Sequence, residues 1–140
     1  LFIIDLKLKL KKNLSINYLT NKRKTYLITK KENIRKLEIF KKKGFKIIFI
    51  KSLNNRNDFK KMFQIIHKLG YCRAFFETGL TFLNTLINYK LLDVLYLFQN
   101  NKNLKKKGLN NNSSQNLRKI KLKKKIKVNL IDDSLYKIEF

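Results

Sequence analysis

The stretch Phe75-Phe76-Glu77-Thr78-Gly79-Leu80-Thr81 concentrates the groups best suited to chemistry in this 140-residue chain. It reads as the end of a buried strand, a carboxylate at the turn, and a glycine where a helix starts. Ligands of open α/β sheets collect at that edge. The first N–H groups of a helix have no internal acceptors, and the positive end of its dipole suits phosphate or pyrophosphate. Gly79 would let a ligand approach the backbone closely, and Thr78 and Thr81 offer hydroxyls. Glu77 cannot bind phosphate, but it can accept hydrogen bonds from sugar hydroxyls or a base. The same residues also compose an ordinary strand-to-helix turn with a capping threonine and a solvated glutamate. Spacing alone leaves both readings open.

The other reactive types offer less. The single His67 falls at the border of a helical apolar stripe and is expected to be a packed or edge residue. The single Cys72 has no second thiol or acidic helper and is expected to be a buried structural thiol. One Cys and one His cannot build the usual zinc cage within one chain, and no intramolecular disulfide can form. No metal site is expected. Asp132 and Asp133 read as a turn rather than a metal pair, and Tyr18, Tyr26, Tyr71 and Tyr96 as packing residues.

Charge is the extreme property: 34 Lys and Arg against 9 Asp and Glu give +25. A positive field of that size attracts phosphate, so nucleic acid is an obvious partner. The lysines are nevertheless spread along the whole chain, and the sequence has no Pro or Trp and four Gly. Its abundant Lys, Asn, Ile, Leu and Phe have codons rich in A and T, so genome composition could supply the charge. Hydrophobic residues at 44%, with eleven Phe and six Tyr, argue for a packed core. No apolar run approaches the roughly 18 residues of a membrane span.

The elements that must position Glu77 follow from periodicity. Phe2-Ile3-Ile4-Asp5, then Leu6, Leu8 and Leu10 alternating with Lys7, Lys9 and Lys11, predicts a strand. Tyr26-Leu27-Ile28-Thr29 predicts a short second one. A helix begins at Glu32, carries Ile34, Leu37 and Phe40, and stops at Lys41-Lys42-Lys43-Gly44. Lys46-Ile47-Ile48-Phe49-Ile50 predicts a central strand covered on both faces. Asn57 or Asp58 then caps a helix with Phe59, Met62, Phe63 and Ile66 inward, closed by Gly70. Cys72-Arg73-Ala74-Phe75-Phe76-Glu77 predicts a strand, Gly79 opens a helix with Phe82, Leu83, Leu86 and Ile87, and Val94-Leu95-Tyr96-Leu97-Phe98 predicts the next strand. This alternation predicts an α/β fold with a mostly parallel sheet flanked by helices. Residues 100–116 read as a long polar loop. The alternating stretch 120–130 and the run from Leu135 to Phe140 flank Asp132-Asp133 as an antiparallel hairpin, making the sheet mixed. Residues 1–140 read as a single domain.

The sequence Gly70-Tyr71-Cys72-Arg73-Ala74-Phe75-Phe76-Glu77-Thr78-Gly79-Leu80-Thr81-Phe82-Leu83, continued by Leu91-Leu92-Asp93-Val94-Leu95-Tyr96, resembles the C-terminal reductase domain of bacterial riboflavin-biosynthesis deaminase/reductases. In that family a strand ends in Glu-Gly-Gly or Glu-Ala-Gly, followed by Pro-Thr-Leu, a helix and a Leu-Val-Asp-Glu segment. Phe2-Ile3-Ile4-Asp5-Leu6-Lys7-Leu8 is similar to the family's Arg-Ile-Val-Leu-Asp strand, and Lys43-Gly44-Phe45-Lys46-Ile47-Ile48 to its Gly-Val-Lys-Val strand. The resemblance implies a dihydrofolate-reductase-like fold and reduction, with NADPH, of the ribose of 5-amino-6-(5-phosphoribosylamino)uracil to the ribityl form. It implies that Glu77 contacts substrate, and that Gly79, Leu80, Thr81, Phe82, Leu83, Asn84 and Thr85 lie along the cofactor phosphates. Asp5 would order the site.

Departures stand at Leu1 for Arg, Leu6 for Ser or Thr, Thr78 for Gly or Ala, and Leu80 for Pro. The family's reductase domain also begins with another half, which carries much of the phosphate and cofactor site and has no counterpart here. The zinc deaminase signatures are absent too. The resemblance therefore implies an incomplete copy, cytoplasmic and homodimeric, with weak turnover by this chain alone. A basic nucleic-acid-binding module and a non-catalytic remnant of the reductase fold are the alternatives.

Overall fold

In the computed structural model, which describes residues 1–11, 14–18, 20–100, 117, 119–122, 124–129 and 133–140, the strands form two sheets. The chain, read from its sequence as one domain, groups into two units, Leu1–Arg73 and Ala74–Phe140. It is a mixed α/β chain with a parallel three-stranded sheet, an antiparallel sheet and several helices.

In the first unit, β1 (Phe2–Ile4), β2 (Tyr26–Thr29) and β3 (Lys46–Phe49) run parallel in the order β1-β2-β3, with Phe2 beside Tyr26 and Ile28 beside Ile48. The central strand is therefore β2, buried at every position, and not the Lys46 run, whose Lys46 and Phe49 are exposed. Apolarity alone does not rank strands. Thr25 and Thr29 can be buried because their hydroxyls are engaged: Thr25 donates to the Arg23 carbonyl at 3.2 Å, and Thr29 accepts from Asn33 Nδ2 at 2.9 Å.

The first strand also ends earlier than the leucine–lysine alternation predicts. The Asp5 carboxylate accepts the Leu10 N–H at 2.7 Å, and Leu8 takes a left-handed φ of 51°, so the chain turns back. Leu8 and Leu10 still point inward, against Leu27, Leu37, Phe40 and Phe45, while Lys7, Lys9 and Lys11 are exposed. Alternation marked which side chains turn toward the core without requiring a strand.

The helix expected from Glu32 is divided into a 3-10 segment, Lys31–Lys36, and α1 (Glu38–Lys42). Leu37 and Phe40 are buried as expected; Ile34 is 46% exposed and leaves the stripe. Gly44, at φ 86°, donates to the Lys41 carbonyl and Phe45 to that of Phe40, a paired C-terminal cap sealed by the edge-on Phe40 and Phe45 rings. The cap of α2 (Arg56–Lys68) is Asn55, neither Asn57 nor Asp58: its side chain accepts the Asp58 N–H at 3.0 Å. Phe59, Met62 and Ile66 are buried, and Gly70, at φ 91°, closes the helix with the same pair of bonds, to His67 and Ile66. Tyr71 then packs edge-on against the stacked rings of Phe2 and Tyr26.

In the second unit, α3 (Leu80–Asn88) precedes a sheet ordered β4-β6-β5, of β4 (Val94–Asn100), β5 (Lys124–Ile126) and β6 (Asp133–Glu139). The expected hairpin is present as β5 against β6, but β4 joins it antiparallel instead of extending the parallel sheet. Asn100 ends β4; the rest of the polar stretch, 101–116, lies outside the described residues, as does Asp132 of the turn. Asp133 opens β6, and its carboxylate accepts from Asn100 Nδ2 at 2.6 Å. No helix among the described residues is long and apolar enough to cross a membrane.

Candidate functional site

The strand expected over residues 72–77 does not form. Residues 71–79 belong to no sheet, and Phe75 is 86% exposed. A strand needs a neighbouring edge to satisfy its N–H and C=O groups, and the apolar run supplies propensity but no partner. Glu77 is accordingly an exposed carboxylate on an irregular segment rather than at the end of a buried strand.

The helix start expected at Gly79 is present. Gly79 is the N-cap of α3, with extended φ −76° and ψ 167°, and its carbonyl accepts the first helical bond from the Leu83 N–H at 3.1 Å. No side chain caps it. Thr78 instead turns its hydroxyl to the Gly79 carbonyl at 3.5 Å, the outer limit for such a bond. The Leu80 N–H thus precedes the first internal hydrogen bond, at the positive end of the helix dipole, and can meet an anion. A Cβ added at Gly79 would meet nothing within 4 Å, so neither backbone angle nor space demands glycine there.

One ring contact and the burial of α3 hold this end of the unit. Phe76 lies against Phe82 with centroids 6.2 Å apart, which fixes the backbone just ahead of Glu77. Farther along, Leu86 is fully buried, and Phe82, Leu83, Asn84 and Thr85 are half-buried. Thr85 spends its hydroxyl proton on the Thr81 carbonyl at 2.9 Å, so toward a ligand it can only accept. Asp5 stands in the other unit, where its carboxylate closes the Leu6–Leu10 turn; its backbone N–H extends the β1–β2 pairing to the Ile28 carbonyl at 2.9 Å.

Several residues differ from expectation. Cys72 is an exposed free thiol rather than a buried one, because the strand meant to cover it is absent. His67, by contrast, is the edge residue it was expected to be, exposed beside Lys60, Phe63, Gln64 and Lys68 in an open depression on α2. Tyr26 and Tyr71 pack, but Tyr18 and Tyr96 are substantially exposed. In Val94-Leu95-Tyr96-Leu97-Phe98 every residue is apolar, so no periodicity could tell the outer face from the inner. Among the described residues no group of three His, Cys, Asp or Glu could hold a metal. No protein-family model matches this chain, and no curated protein matches it.

Proposed function

We propose that this chain is a reductase domain of the riboflavin-pathway type, with a dihydrofolate-reductase-like fold, working in the cytoplasm as a homodimer. It would use NADPH to reduce the ribose of 5-amino-6-(5-phosphoribosylamino)uracil to the ribityl form. The observation that carries the reading is the start of α3: an uncapped helix N-terminus at Gly79, two residues after an exposed carboxylate, within the segment that resembles the family's loop. Parallel strands early in the chain and antiparallel ones late are compatible with the implied fold.

In this reading NADPH supplies the hydride to the sugar carbon, and the chain supplies binding and orientation. The Leu80 N–H, with the positive end of the α3 dipole behind it, takes a phosphate oxygen. Glu77 accepts hydrogen bonds from the substrate's hydroxyls, on a backbone steadied by Phe76 against Phe82. Asp5 keeps the end of β1 in shape without reacting.

The test is a titration with NADPH and NADH at low salt and again at about 0.5 M, where diffuse lysine attraction is screened. Gly79→Glu is a clean probe because the site has room and ordinary backbone angles. A carboxylate there favours the helix dipole while repelling phosphate, so stability holds and NADPH binding falls. NADPH binding that vanishes with salt, or is indifferent to Gly79→Glu, would sink the reading.

A further inference from the structure

The outer face of the antiparallel sheet combines exposed aromatic rings with cations. Alternation along β4 turns Val94, Tyr96 and Phe98 to one side, and Tyr96 and Phe98 are 47% and 63% exposed. Directly across, Tyr96 neighbours Lys137 and then Lys124, and Phe98 neighbours Leu135 and then Ile126. Leu135, the cross-strand partner of Phe98, is buried. Lys137 is ion-paired with Glu139, so attraction for an anion on this face falls to the exposed Lys124, within the positive field of the whole chain.

We infer that this face binds single-stranded nucleic acid, one base stacked on Tyr96 and the next on Phe98, with Lys124 on a phosphate. Residues two apart on a strand stand roughly 6.7 Å from each other. That is about twice the 3.4 Å rise per nucleotide of a stacked strand, so the spacing suits an extended strand with its bases splayed. A duplex hides its base faces and could engage only the charge. Charge complementarity selects this occupant over a neutral or basic protein: the chain carries +25. The inference is independent of the reductase proposal, since it uses none of the residues at the start of α3.

The full chain is titrated into a fluorescently labelled oligothymidylate of about 12 nucleotides and into a duplex of equal length, at two salt concentrations. The expected result is tighter binding of the single strand. Tyr96→Ala with Phe98→Ala should weaken it about tenfold or more while leaving the salt slope unchanged. Tyr96→Phe, which keeps a ring, should bind as the unaltered chain does, with circular dichroism confirming the fold of each variant. Equal affinity for duplex, or no loss in the double alanine variant, would overturn the inference by leaving lysine charge as the whole effect. A dimer that dissociates in the double variant would overturn it in favour of a second copy of the chain.

Discussion

In the first unit the four residues of β2 are buried from end to end; in the second, the seven residues of β4 leave Val94, Tyr96 and Phe98 toward water. The difference follows from how the sheets are built. Parallel neighbours need long connections, and here those connections return as helical segments: Leu37 and Phe40 cover Leu27 on one side, while Tyr71, just after α2, reaches Phe2 and Tyr26. An antiparallel ribbon closes through its own turns and can leave a face open. Of the large apolar residues buried among those described, only Leu86 and Leu135 belong to the second unit. The first unit invests its sequence in a core, and the second displays part of its apolar surface.

The largest effect that can break this comparison is a matched pair of truncations. Leu27→Ala removes a side chain with no exposure from the centre of the core cluster and should cost about 2–5 kcal/mol in urea unfolding. Phe98→Ala removes a larger side chain but should stay within about 0.5 kcal/mol, as exposed substitutions do. Comparable losses would mean that the β4 face is packed in solution.

The helix ends give a second contrast, of smaller size. Gly44 and Gly70 cap α1 and α2 at positive φ, whereas the same pair of bonds at the end of α3 is made with Lys90 at φ 52°: Lys90 donates to Ile87 and Leu91 to Leu86. Gly70→Ala should destabilise by roughly 1–2 kcal/mol, the cost of a Cβ in left-handed backbone. Lys90→Gly should stabilise by about 0.5–1 kcal/mol, the same steric relief less the added freedom of the unfolded glycine. A loss of stability in Lys90→Gly would show that the lysine side chain contributes more than its backbone angle costs.

What was legible in the sequence divides along the same line. The stripe Phe59, Met62 and Ile66, the stops at Gly44 and Gly70, the start at Gly79 and the β5–β6 hairpin could be read because periodicity and glycine act locally. Which strand is central, whether 72–77 finds a partner, and whether β4 runs parallel depend on pairing between distant segments, which no local pattern encodes. The candidate site shares this split. Gly79 and its helix are where the motif placed them, whereas Glu77 and Cys72 are exposed because the strand meant to hold them does not pair. Asp5 illustrates a third case: its expected part was to order its surroundings, but that its carboxylate does so by closing the Leu6–Leu10 turn is a tertiary detail no local pattern encodes.

The smallest effect is electrostatic and lies in the core-bearing unit. Asp58, in the first turn of α2, accepts hydrogen bonds from the Ser52 hydroxyl and from the Asn54 N–H at 3.0 Å. The Ser52 bond most of all, then that of Asn54, holds its carboxyl below the ordinary value of 3.8, with Lys61 assisting and partial burial opposing. The folded state therefore takes up this proton less readily than the unfolded chain does. The group's contribution is complete above the ordinary value and is lost as pH falls through the lowered one. In Asp58→Asn that dependence is gone. The gap in melting temperature between the original chain and the variant should thus stay constant down to about pH 5 and narrow below 3.8. Other carboxylates titrate in the same range in both proteins, so only the difference isolates Asp58. A gap unchanged to strong acid would mean that the Ser52 and Asn54 bonds serve the protonated carboxyl equally well, and that they fix the loop before α2 without sensing charge.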